Sequence, residues 1–200
     1  IPQMSVTGSG IVYVVPDIAY INVGVRSQGD TVADAMNANN IQAQAIKDTL
    51  VAQSVDEMDI QTSSFNVYPQ SDYDYQGVIT RTYFSVENNV YVTVRNLENL
   101  GTILDAVASS GANTIYGINF DVVDKTEAQT SARQLAVESA KAQAQELADA
   151  AGVKLGDISF ISSSYSYPNT YGGYYGMGGG GAAYAMSESV PIASGQIQVS

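Results

Sequence analysis

The pattern of apolar and polar positions changes period three times between Thr114 and Ile161. A β-branched run, Ile115 to Val123, predicts a strand. From Asp124 to Ala151 small and apolar residues return every three to four positions, which predicts a long helix. Asp124 suits its N-cap and Glu127 the N3 position, where an acid complements the helix dipole. Gly152 suits the stop, and Ile158 to Ile161 predicts a further strand. This is the longest periodic segment of the chain.

Earlier in the chain the same two periods alternate. Met4 to Val15 is β-rich and interrupted at Gly8 and Gly10. Pro16-Asp17 predicts a turn. Ile18 to Val25 then alternates, with Ala19, Ile21, Val23 and Val25 on one face and Tyr20, Asn22 and Gly24 on the other, which predicts a half-buried strand in a hairpin with the first run. Thr31, with Asp34 three residues on, predicts a capped helix start, and Val32, Ala35, Met36, Ala43, Ile46 and Leu50 form its stripe until it frays near Ser54. Ile60 to Tyr68 predicts a strand ended by Pro69, with Ile60 on the face opposite Phe65. Val78 to Val94 predicts a long strand in which Glu87-Asn88-Asn89 reads as a bulge or a turn. Asn96 opens a short helix with Leu97, Leu100, Ile103, Leu104 and Val107 on its apolar face, and Gly111 ends it.

The expected fold class is therefore α+β. Ile18 to Val123 reads β-α-β-β-α-β, the ferredoxin-like order, within a mixed sheet to which the long third helix and additional outer strands are added. Residues 1–161 are expected to form one domain. Residues 162–187 are a Tyr/Gly/Ser-rich insertion of low complexity, without periodicity and nearly without charge. Residues 188–200 return to the same domain as the alternating strand of Gln196 to Ser200. Within 165–184 lie six of the fourteen tyrosines of the chain, more than a plain spacer needs.

Composition narrows the function. The chain has 200 residues, 45% of them hydrophobic, enough for a real core. Its formal net charge of −12 argues against nucleic acid and against anionic membrane surfaces as partners. No apolar run approaches the length of a membrane span. Without histidine or cysteine there is no imidazole acid–base chemistry, no zinc site built on those ligands and no disulfide framework. No cofactor is expected, and no catalytic residue is assigned. A start at Ile1-Pro2 fits removal of a signal peptide, and equally a cut at a domain edge.

The remaining chemical candidates have simpler readings. Asp72-Tyr73-Asp74-Tyr75-Gln76-Gly77 shares the early acids and glycine of a calcium loop, but Tyr83 stands where the bidentate glutamate belongs, and a solvated turn explains the stretch. Asp56-Glu57-Met58-Asp59 reads as a solvated junction. Gly8-Ser9-Gly10 and Gly178 to Gly181 lack the Lys-Ser/Thr of a phosphate loop. The alanine stripe Ala132, Ala136, Ala140, Ala144, Ala148 and Ala151 allows close approach of another surface, most simply the helix's own sheet.

Several ordered pieces carry a family likeness: Val6-Thr7-Gly8-Ser9-Gly10, Pro16-Asp17-Ile18-Ala19, Ile60-Gln61-Thr62-Ser63 through Tyr68-Pro69-Gln70, and Ile115-Tyr116-Gly117-Ile118 with Phe120-Asp121-Val122. They are followed by Ala148 through Gly156 and by Pro191-Ile192 with Gly195-Gln196-Ile197. In this the chain resembles the SIMPL-domain family (domain of unknown function 541), which includes periplasmic immunogenic antigens. The resemblance implies an exported protein, periplasmic, on the cell surface or extracellular, that assembles into homo-oligomeric rings or tubes. It implies no catalytic site.

The expected function is thus a non-enzymatic structural protein that pairs with copies of itself as a ring, tube or filament. The residues expected to carry the contact are Met4, Val6, Ile11, Tyr13, Ile197 and Val199 at the strand margins, with Tyr165, Tyr167, Tyr171, Tyr174 and Tyr175 in the tyrosine tract. The reasoning is that Met4 to Val15 and Gln196 to Ser200 leave backbone groups for a neighbouring copy to satisfy. The alternative is an envelope binding module that recognises a small ligand or a partner through its Tyr-rich loops, Tyr73 and Tyr75 included.

Overall fold

The computed structural model describes residues 3–165 and 192–200 of the chain. Their elements run β1 (Val12–Val14), β2 (Ile18–Gly29), α1 (Val32–Ala52), β3 (Ile60–Tyr73), β4 (Ile79–Val94), α2 (Leu100–Ser109), β5 (Thr114–Asp121), α3 (Thr126–Ala151) and β6 (Ile197–Val199), an α+β arrangement. They fall into two compact units. One holds residues 3–16, 122–165 and 194–200, the other 17–121 and 192–193.

The larger unit is a four-stranded sheet in the order β3-β4-β2-β5. Every pairing in it is antiparallel, so the expected mixed sheet is two antiparallel sheets, this one and β1-β6. The reason is topological: α1 carries the chain from β2 to β3, which run in the same direction, and β4 lies between them. Ala19, Ile21, Val23 and Val25 of β2 all enter the core, as their alternation predicts, with Val92 and Val94 of β4, Ile46 and Leu50 of α1, and Leu100, Ile103, Leu104 and Val107 of α2. Fully burying a Leu, Ile or Val contributes about 1.5–3 kcal/mol, so this cluster dominates the stability of the unit.

Thr31 caps α1 as its sequence predicts: its Oγ1 accepts from the Asp34 N–H at 3.1 Å and donates to Asp34 Oδ2 at 2.7 Å. The buried stripe differs from the expected one. Val32 is exposed, Met36 and Ala43 are half-buried, and Asn39 takes a fully buried place beside Ala35, Ile46 and Leu50. Asn96 caps a 3-10 turn, Leu97–Asn99, that runs straight into α2.

Three strand expectations change. β2 does not form a hairpin with β1, because β4 and β5 occupy both its edges. β3 passes through Pro69 and continues to Tyr73; an edge strand needs partners on one side only, which tolerates a residue without an N–H. The bulge lies in β3, where Ser63 is the extra residue between Thr62 (opposite Val90) and Ser64 (opposite Asn89), and β4 runs on through Glu87-Asn88-Asn89. That inserted residue resets the alternation. Ile60 and Phe65 pair with Val92 and Asn88, so they share a face instead of lying opposite each other.

In the smaller unit β1 and β6 pair antiparallel, Val12 with Val199 and Val14 with Ile197, and α3 packs against both. Most of α3 is exposed or half-buried; Ala128, Ala132 and Ala148 are its buried residues. Gly152, with φ 67°, closes it. Asp124 lies one residue outside the cap position held by Lys125, yet still serves the first turn, its Oδ1 accepting from the Thr126 N–H at 2.8 Å. Of the β-rich run Met4 to Val15, only Val12–Val14 is strand. Gly8 and Gly10 lie against α3, where a Cβ on either would overlap a carbonyl oxygen, that of Ala136 or of Ala132. The alanine stripe therefore receives a glycine backbone as well as a sheet.

The predicted strand Ile158 to Ile161 does not form. A strand exists only with a partner edge, and none is supplied to it among the described residues.

Candidate functional site

The residues expected to mediate self-association separate into three groups. Met4, Ile11 and Tyr13 are exposed, and Val6 is half-buried. Ile197 is half-buried and Val199 buried, since β6 is paired with β1 and packed on α3. The two margins thus satisfy one edge of each other within one chain, and the expectation that only another copy pairs them is corrected to that extent. Tyr165 is exposed and stands beneath the Arg133 guanidinium at 5.2 Å, a cation–π contact that ties it to α3. Tyr167, Tyr171, Tyr174 and Tyr175 lie outside the described residues, as does most of the 162–187 insertion.

A stretch expected to be a strand, Ile158 to Ile161, lies open instead. From Val153 to Ile161 the chain forms no helix or strand and exposes Val153, Leu155, Ile158, Phe160 and Ile161, with Ile158 64% and Phe160 81% accessible. Val153 donates to the Ala148 carbonyl; beyond it, no hydrogen bond among the described residues reaches the main chain of 154–164. Its β-branched, aromatic composition was visible in the sequence. Its lack of a partner was not.

The β3-β4 ribbon is the second open region. β2 pairs with β4 only as far as Gly29 opposite Phe84, so residues beyond that point have β3 and β4 alone. Tyr73, Val78 and Ile79 are exposed there, and Tyr75 at the turn is 94% accessible. Asp74 closes the turn by accepting from the N–H groups of Gln76 and Val78 at 2.8 and 2.9 Å, which is the solvated-turn reading of the calcium-like stretch. Asp30 bridges Arg81 at 2.7 Å and raises its pKa.

The carboxylates of the Asp56-Glu57-Met58-Asp59 junction are engaged structurally. Asp56 caps the 3-10 turn Glu57–Asp59 by accepting from Met58, and Glu57 meets Lys47 at 3.0 Å. Asp59 accepts twice from Arg95, at 2.7 and 2.8 Å, and this hydrogen bonding raises the arginine pKa. The junction is therefore a paired one and not merely solvated. Among the described residues no group of three or more acids could hold a metal ion, and no helix is long and apolar enough to cross a membrane.

The buried polar residues among those described are Ser27, Asn39, Ser85 and Asn89. Asn39 donates to the carbonyls of Val25 and Val86 at 3.1 and 3.2 Å, bridging β2 and β4. Asn89 donates to Ser64 and Glu87, and its amide fills the space that a Cβ on Gly24 would need. Tyr20 and Tyr91 stack with ring centroids 5.2 Å apart, and burial raises the Tyr91 phenol above its ordinary pKa.

Comparison with known proteins decides the family. The SIMPL profile, described as a protein of unknown function (DUF541), matches residues 4–200. The chain belongs to the SIMPL family. This SIMPL chain is 34% identical over 198 residues to the 26 kDa periplasmic immunogenic protein of Brucella melitensis, covering 97% of the chain and 79% of that relative. The protein of the same name in Brucella abortus is 33% identical over the same length. The uncharacterized protein YggE of Escherichia coli K12 is 32% identical over 159 residues, 78% of the SIMPL chain and 63% of YggE.

Proposed function

We propose that this SIMPL protein is a non-enzymatic structural component of the cell envelope whose copies associate with one another. The observation that carries the reading is the segment Val153 to Ile161, rich in exposed apolar side chains and, beyond Val153, without main-chain partners among the described residues. An unpaired strand of that composition is a template for another chain. The periplasmic names of the Brucella relatives support placement in the periplasm. Light scattering on a concentration series tests the reading. The expected result is a mass that rises in multiples of the monomer, and a monomer at every concentration overturns it.

A second reading rests on the ribbon. Tyr73 and Tyr75 stand in solvent at its end, offering amphipathic contact area to an envelope ligand or partner. Replacing both tyrosines with serine separates the two readings, because self-association survives that change and ligand capture does not.

A further inference from the structure

We propose that Ile158–Ile161 of one copy adds as a strand to the outer edge of β3 in another copy. The inference rests on the self-association reading and goes further by naming the two surfaces. β3 lies at the end of its sheet and, among the described residues, pairs with β4 alone, so its other edge presents main-chain groups. From Ser64 to Tyr68 its register with β4 is unbroken, from Asn89 to Ser85, which gives five straight residues after the Ser63 bulge. Pro69 then ends the usable edge, since it has no N–H to offer. On the face shared with the core, Phe65 and Val67 are exposed at that edge. An added strand covers them and satisfies the edge at once.

The opposite edge of the same sheet fits less well. β5 is broken in its middle by the bulge at Gly117, which leaves short runs on either side. The docking segment matches the β3 window in length and pattern: Ile158 and Phe160 on one face, Ser159 and Ile161 on the other. Both surfaces are uncharged, Ser64 to Tyr68 and Ile158 to Ile161 alike, so copies with a net charge of −12 meet without burying like charges. Each copy brings one segment and one edge. The contact is therefore heterologous, and it closes into a ring or runs on as a filament according to the rotation between copies.

The absence of cysteine permits a clean test in the full chain. One preparation carries Asn66→Cys and another Ser159→Cys. Under mild oxidation the expected result is a disulfide-linked pair in the mixture and none in either preparation alone. A link within the Asn66→Cys preparation means that β3 edges pair with each other, and one within the Ser159→Cys preparation means that segments do; either overturns the inference. Phe160→Asp, at an exposed position, is expected to weaken association about tenfold or more with unchanged circular dichroism. If association persists undiminished in Phe160→Asp and in Phe65→Asp, the surfaces are wrong while self-association stands. If the unmodified chain is a monomer throughout, both fall.

Discussion

Gly10 rests directly on Ala132: a Cβ at position 10 would overlap the Ala132 carbonyl oxygen and stand 2.8 Å from the Leu135 Cβ. Gly8 repeats the relationship one turn on, 2.8 Å from the Ala140 Cβ. Two small residues on the incoming backbone and an alanine stripe on the helix let main chain pack on main chain. Gly8→Ala or Gly10→Ala is expected to cost about 1–3 kcal/mol, the usual penalty for overpacking. Gly156→Ala serves as the control: nothing stands within 4 Å of a Cβ there, and the change is expected to stay within about 0.5 kcal/mol. Urea denaturation with hydrogen exchange at Val12–Val14 reads both.

Asn39 is a polar residue at a core position, and its two donated bonds hold β2 and β4 to α1. Its Oδ1 is buried without a hydrogen-bond partner among the described residues. Asn39→Ala removes the bonds and leaves a void, with an expected loss of about 1–3 kcal/mol. Asn39→Leu removes the same amide but refills the place with an apolar side chain of the same branching, so its loss is expected to be smaller. Equal losses in the two variants would show that the bridge outweighs the packing.

Gly117 has φ 69° and sits at the β5 bulge between the Tyr20–Asn119 and Asn22–Tyr116 pairs. A side chain there meets nothing closer than 3.6 Å, so the cost of Gly117→Ala is a backbone cost, about 1–2 kcal/mol. Gly117→Asn is expected to cost less, because asparagine visits this conformation more readily. Denaturation midpoints rank the two.

Asp124 has a carboxyl pKa held below the ordinary value of 3.8 by its hydrogen bonds with Thr126. The sign follows from linkage. A carboxylate with a depressed pKa in the folded state contributes stability above its unfolded pKa and loses it as pH falls through the folded one. The urea midpoint of the parent protein is expected to drop on acidification below the ordinary carboxylate range more than that of Asp124→Asn. Identical acid limbs would remove Asp124 from the account.

Much of this molecule was legible before any coordinates. Local signals act within a few residues: the Thr31 cap with Asp34, the glycine stop at Gly152, the alternation of Ala19 to Val25 and the apolar face of α2 all form where the pattern placed them. Pairing is decided between distant residues. That β1 joins β6, that Asp59 meets Arg95, that Ser63 is the bulge and that Asn39 bridges two carbonyls depend on which segments become neighbours, and no local period encodes that.

The segment at Ile158 shows the division most plainly. Its composition made it a strand by propensity, because β-branched and aromatic side chains suit a pleated surface. Whether it became one depended on an edge being available, and the described structure leaves it exposed. Sequence alone therefore determined the helices, most of the strands, the Thr31 cap, the net negative charge and the absence of imidazole and thiol chemistry, all properties of residues and their near neighbours. Only the tertiary structure decided the partners, because hydrogen bonds between strands are satisfied by whatever backbone the fold brings alongside.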